Sequence, residues 1–75
     1  MANHGATPLE LAIKETIAAN PEQVARWQDN LPGAWGFLAG QGILAYRRRL
    51  GRSLTDTERR RLWSALWARL EATRH

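Results

Sequence analysis

Three short stretches restrict the fold of this chain more than any other feature: TPLE at residues 7–10, NPEQ at 20–23 and TDTE at 55–58. In the first, Thr7 is placed as a helix N-cap with Pro8 at N1 and Glu10 at N3. A hydroxyl and a carboxylate can then satisfy backbone N–H groups that a helix start leaves open, and proline sits where its missing N–H does no harm. Asn20, Pro21 and Gln23 repeat the device, and Thr55 with Glu58 repeats it again, with Asp56 adding negative charge to the first turn. Helical periodicity follows each signal. Leu9, Ile13, Thr16 and Ile17 recur at helical spacing, Val24 and Trp27 share a side, and Leu62, Trp63, Leu66, Trp67 and Leu70 form a stripe.

Between the second and third signals, DNLPG is a break, because Pro32 biases Leu31 away from helix and Gly33 follows it. A further helix is predicted from about Gly33 to Arg49, closed by Gly51 as a left-handed cap, with Arg47, Arg48 and Arg49 at the negative end of its dipole. No strand-like alternation or repeat is present. The expected fold is all-α, a compact cluster of three to four short helices, with residues 1–7 a flexible N-terminal tail and 8–73 a single helical domain. A 75-residue chain buries only about 60% of its unfolded surface, so its core needs large side chains. Trp63 and Trp67, set among leucines, are expected there, whereas Trp27 and Trp35 flank the break and suit either a core cap or a partner contact. So small a core leaves room for completion by a second copy or another protein.

The run from Leu31 to Tyr46 holds 16 residues without a formal charge. A membrane-spanning helix needs about 20, mostly apolar, and Gln41 and four glycines dilute this run, so no membrane span is expected. Each glycine inside a helix costs about 0.8–1.0 kcal/mol relative to alanine, which asks what offsets Gly36, Gly40 and Gly42. Gly36 and Gly40 lie at i and i+4 on one face, where a missing Cβ lets a neighbouring helix come close, so they are read as a packing device.

No enzyme chemistry is legible. The chain has no cysteine, its two histidines are near the ends, and its carboxylates mostly open helices. Neither a nucleophile with its base, a phosphate-cradling glycine loop nor metal-ligand spacing occurs, so no catalytic residue, metal or cofactor is expected. The first ten residues lack a secretory signal, and a cytoplasmic location is expected. Charge is the stronger clue: residues 1–46 carry two bases and four acids, residues 47–75 nine bases and three acids. Ten of the eleven bases are arginine, whose planar fork suits phosphate and carboxylate.

LELAIKETIAANPEQVARWQ followed by GFLAGQ resembles the C-terminal tail domain of the B subunit of the bacterial tRNA-dependent amidotransferase, and the free-standing YqeY proteins that share it. The likeness runs from about Leu9 to Leu70. It is most specific at Asn20-Pro21 with Val24, and at Gly36-Phe37-Leu38-Ala39-Gly40-Gln41. The resemblance implies a small helical cluster that helps recognise the outer corner of tRNA without catalysing anything, with Gly36 and Gly40 in helix packing and Gln41 near the functional face. The positive charge is placed differently here. Gln28 to Pro32 and Leu44 stand where the family has lysines or another base, and RRRLGRSLTDTERRR replaces a short turn.

Two readings follow. In the first, Arg47, Arg48, Arg49, Arg52, Arg59, Arg60 and Arg61, with Gln41, bind tRNA or another structured RNA, because a short turn brings the two arginine clusters to one edge. In the second, tryptophan and arginine, both enriched at interface hot spots, dock the chain onto a larger protein complex.

Overall fold

The N–H groups that open a helix have no partner within it, and this chain supplies partners from side chains at two of its four starts. In the computed structural model, which describes residues 6–74, α1 spans Pro8–Ala19, α2 Pro21–Gln28, α3 Ala34–Leu50 and α4 Asp56–Ala72. The fold is all-α. Both histidines, and the expected tail apart from Ala6 and Thr7, lie outside the described residues. Thr7 Oγ1 accepts from the Glu10 N–H at 3.1 Å while Glu10 Oε1 accepts from the Thr7 N–H at 3.0 Å. Thr55 and Glu58 form the same reciprocal pair at 3.1 and 2.9 Å.

The signal at Asn20 works differently from expectation. Asn20 makes no side-chain bond to the start of α2; its Nδ2 instead donates backwards to the Thr16 carbonyl at 2.8 Å. The reason is spacing. A single residue separates α1 from α2, so Asn20 must serve both ends, and its side chain is spent on the open carbonyls of α1. Proline at the start of α2 removes one of the donors that would otherwise need a cap.

The end of α2 is a left-handed cap in which asparagine replaces the usual glycine. Asn30 has φ 59°, with its N–H donating to Trp27 O and that of Leu31 to Arg26 O. Gly33, at φ 88°, then turns the chain into α3, and Gly51, at φ 73°, ends it by donating to Arg47 O at 2.8 Å. Both positions need a residue without Cβ.

α3 is the central element and packs against each of the others. Its buried face carries Ala34, Leu38, Gly42 and Ala45, and α4 seats Leu62, Leu66 and Leu70 against the core at 0% exposure. Of the glycines inside α3 only Gly42 faces a neighbouring helix, at ordinary contact distance. A Cβ there would stand 3.4 Å from Leu66 Cδ2 and 3.5 Å from both Leu62 methyls. Gly36 and Gly40, expected to serve helix packing, do not: nothing lies within 4 Å of a Cβ built on either, because their face of α3 points away from α4 and the core.

The tryptophans are also sorted differently from expectation. Trp27 is core at 4% exposure, whereas Trp63 and Trp67 remain 36% and 43% exposed. The three leucines at i, i+4 and i+8 form the inward ridge of α4, and each of these tryptophans, one residue on, is turned about 100° from it. Trp67 still touches the core, meeting Trp27 and Trp35 edge to face with centroids 5.2 and 5.1 Å away. The Arg74 guanidinium covers the Trp27 ring at 4.1 Å and Gln28 Nε2 donates to Thr73 Oγ1 at 2.8 Å, tying α2 to the end of α4. Among the described residues no helix is long and apolar enough to cross a membrane.

The contrast between the glycines is measurable by urea denaturation. Gly36→Ala and Gly40→Ala should each raise stability by about 0.8–1.0 kcal/mol, the gain in helix propensity with no clash to oppose it. Gly42→Leu should lower it by about 1–3 kcal/mol through overpacking. A loss of stability in Gly40→Ala would restore the packing role to that position.

Candidate functional site

The α3 C-terminus, the turn after Gly51 and the α4 N-terminus meet at one edge of the molecule, and seven arginines lie along this stretch. Arg47, Arg48 and Arg49 occupy the last turn of α3, Arg52 the connecting turn, and Arg59, Arg60 and Arg61 the first two turns of α4. Two shallow hollows join them. One is lined by Leu44, Arg47, Arg48, Gly51, Arg52 and Ser53; the other, which shares Arg47 and Ser53, adds Ile43, Leu54 and Arg59. Arg47, Arg48, Arg52 and Arg59 are thus brought together.

Others are not. Arg60 and Arg61 face a separate hollow beside Leu9, Thr57, Ser64 and Ala65, around α4 from Arg47. Gln41 is half-buried two turns before Arg48, about 10 Å back along the α3 axis. It stands apart from the cluster.

Carboxylates already engage part of this charge. Glu15, on α1, accepts from Arg48 at 2.7 Å and from Arg49 at 3.0 Å. Glu58 takes both arms of the Arg52 fork, at 2.8 and 2.6 Å, and Asp56 accepts from Arg59 at 3.0 Å. Arg47, Arg60 and Arg61 make no ion pair among the described residues. Seven arginines against Glu15, Asp56 and Glu58 leave a formal excess of +4 at this end of the molecule.

The sequence reading missed Glu15. Its partners stand 33 and 34 residues away, beyond any local pattern. The only hint in the sequence is that Glu15, unlike Glu10 or Glu58, opens no helix.

Hydrogen bonding decides the titration of the two carboxylates. The Arg52 guanidinium, helped by the Thr55 N–H, holds Glu58 down to about 2 from an ordinary 4.5. The bond from Arg48 lowers Glu15 in the same way. Glu58 in turn keeps Arg52 above its usual value. Among the described residues no three His, Cys, Asp or Glu side chains gather as metal ligands. The chemistry available at this edge is recognition of anions by guanidinium.

No protein-family model, curated protein or solved structure matches the chain. The likeness to the amidotransferase tail is carried by the residues quoted above and by nothing further.

The Glu58–Arg52 pair has a pH signature. A carboxylate whose folded pKa is lowered contributes stability that is fully present above its unfolded value and is lost as pH falls through the folded one. That window runs from about 4.5 down to about 2. Glu58→Gln keeps an acceptor for the Thr55 N–H but loses the charge. Its thermal midpoint should lie below the wild type at pH 7, and the gap should close as pH falls through the window. A gap that does not change with pH would mean that Glu58 acts only as a cap.

Proposed function

We propose that this chain is a non-catalytic helical module that binds tRNA or another structured RNA through its arginine edge. The observation that carries the reading is the joining of Arg47, Arg48, Arg52 and Arg59 along two adjoining hollows, with an excess of positive charge. Duplex RNA hides its base edges in a deep, narrow groove and is recognised largely by shape, phosphate and 2′-hydroxyl contacts. An edge of guanidiniums suits that task, because each fork can hold two phosphate oxygens at once.

The existing ion pairs do not oppose it. They lie at the surface, where solvent screens them, and an incoming phosphate can replace the carboxylate partner with little loss. On this reading Arg47, Arg60 and Arg61 are free to meet phosphates first, Arg48, Arg49, Arg52 and Arg59 follow by exchange, and no metal or cofactor takes part. The cytoplasm is the setting that fits it. The resemblance to the amidotransferase tail points to the same class of ligand.

A second reading, a protein-binding adaptor, draws on a different observation. Phe37 and Leu44, 44% and 45% exposed, lie seven residues apart on α3 and so on one side of that helix, where a partner could cover them. Pull-down with and without nuclease separates the two. Material lost after nuclease supports RNA, and a stoichiometric protein that survives supports the adaptor.

Salt dependence tests the RNA reading directly. Each neutralised phosphate contributes about −0.7 to −0.9 to the slope of log K against log salt. Replacing Arg47, Arg48 and Arg52 together by glutamine removes three guanidiniums that line one hollow and should flatten the slope for tRNA by about 2–3. A wild-type protein that binds no tRNA at ~50 mM salt, or a variant with an unaltered slope, would reverse the conclusion.

A further inference from the structure

Resting on the RNA reading above, we infer that the edge holds unpaired nucleotides, with a base stacked on the exposed ring of Trp63. Three of the four tryptophans account for one another: Trp67 meets Trp27 and Trp35 edge to face, and Arg74 covers Trp27. Trp63 has no aromatic or cationic ring partner among the described residues and is 36% exposed. It lies outside the inward ridge of α4, which Leu62, Leu66 and Leu70 fill at 0% exposure.

Its position supplies the charge that stacking needs beside it. Trp63 follows Arg59 by four residues and Arg60 by three. On a helix surface those spacings put side chains roughly 5–6 Å apart at Cβ. Arg59 lines a hollow with Arg47, so the indole continues the basic edge rather than standing apart from it. Trp67, 43% exposed, lies one turn further, about 6 Å along the axis, and extends the aromatic surface. A basic track leading to aromatic faces is the arrangement that binds single strands, because every base has a π-face and every nucleotide a phosphate. Bases inside a duplex are already stacked on one another and do not reach the ring. The occupant is therefore a loop, bulge or single-stranded end.

The test uses the full chain and two probes, a single-stranded oligoribonucleotide of about 12 nucleotides without self-complementarity, and the same strand annealed to its complement. Anisotropy titrations at low salt should show tighter binding of the single strand. Trp63→Ala should weaken it roughly 5- to 150-fold, the usual range for one stacked base, and should leave duplex affinity nearly unchanged. Trp63→Phe should retain most of the single-strand affinity, whereas Trp63→Leu, apolar but without a π-face, should lose it. That pair decides the matter if the alanine variant does not fold.

If Trp63→Ala and Trp63→Leu bind the single strand as the wild type does, stacking is overturned, while a tRNA salt slope that still responds to Arg47, Arg48 and Arg52 keeps the RNA reading intact. If the wild type binds neither probe nor tRNA, both fall together, and the exposed indole belongs to a protein contact.

Discussion

The seating of the α4 leucines against α3 is the contact on which the rest of the molecule depends. Leu62 and Leu66 lie against α3 beside Gly42, their methyl groups at ordinary contact distance from the position a Cβ would take there. With that crossing set, Leu70 completes the ridge, and the rotation of α4 about its own axis follows. Trp63 and Trp67 are then carried to the flank. The α3 C-terminus and the α4 N-terminus are brought together across one short turn, and the arginine edge is a consequence of this geometry. Gly42 faces the α4 leucines, whereas nothing lies within 4 Å of a Cβ at Gly36 or Gly40.

Electrostatics shows a similar division between what is held and what is left over. Glu15 reaches from α1 to two arginines of α3, and Glu58 combines a cap for α4 with a two-pronged grip on Arg52. These bonds orient the connecting turn. They do not neutralise it, because three carboxylates face seven arginines. A surface in this state keeps its shape without a ligand and still attracts polyanions, since like charges held together by the fold are relieved when counter-charge arrives.

The aromatic residues show how a small chain can meet two demands with one residue type. Trp27 fills the core and is roofed by Arg74, so a cation and a ring close the bottom of the molecule where α2 and α4 end. Trp67 bridges inside and outside, giving edges to two other indoles while leaving much of its own surface in water. Trp63, 36% exposed, meets no other aromatic ring among the described residues.

Local chemistry was legible from the residues alone. The helix starts at Thr7 and Thr55, the break at Pro32-Gly33 and the left-handed end at Gly51 all depend on partners within a few residues, so the sequence by itself determined them. The all-helical class was legible in the same way, whereas the parting of Arg60 and Arg61 from Arg47, Arg48, Arg52 and Arg59 was not. What the tertiary structure decided depends on which face of each helix meets a neighbour. The stripe Leu62, Trp63, Leu66, Trp67 and Leu70 is wide enough to allow more than one rotation, and packing against the shared core selects the leucines as the inward ridge. The same choice exposes Gly36 and Gly40 and leaves Gln41 away from the arginines. The Glu15 clamp likewise has no local signal, because it joins α1 to α3 across 33 and 34 residues. A cap is satisfied by atoms a few residues away, whereas the facing of a helix is the sum of all its long-range contacts.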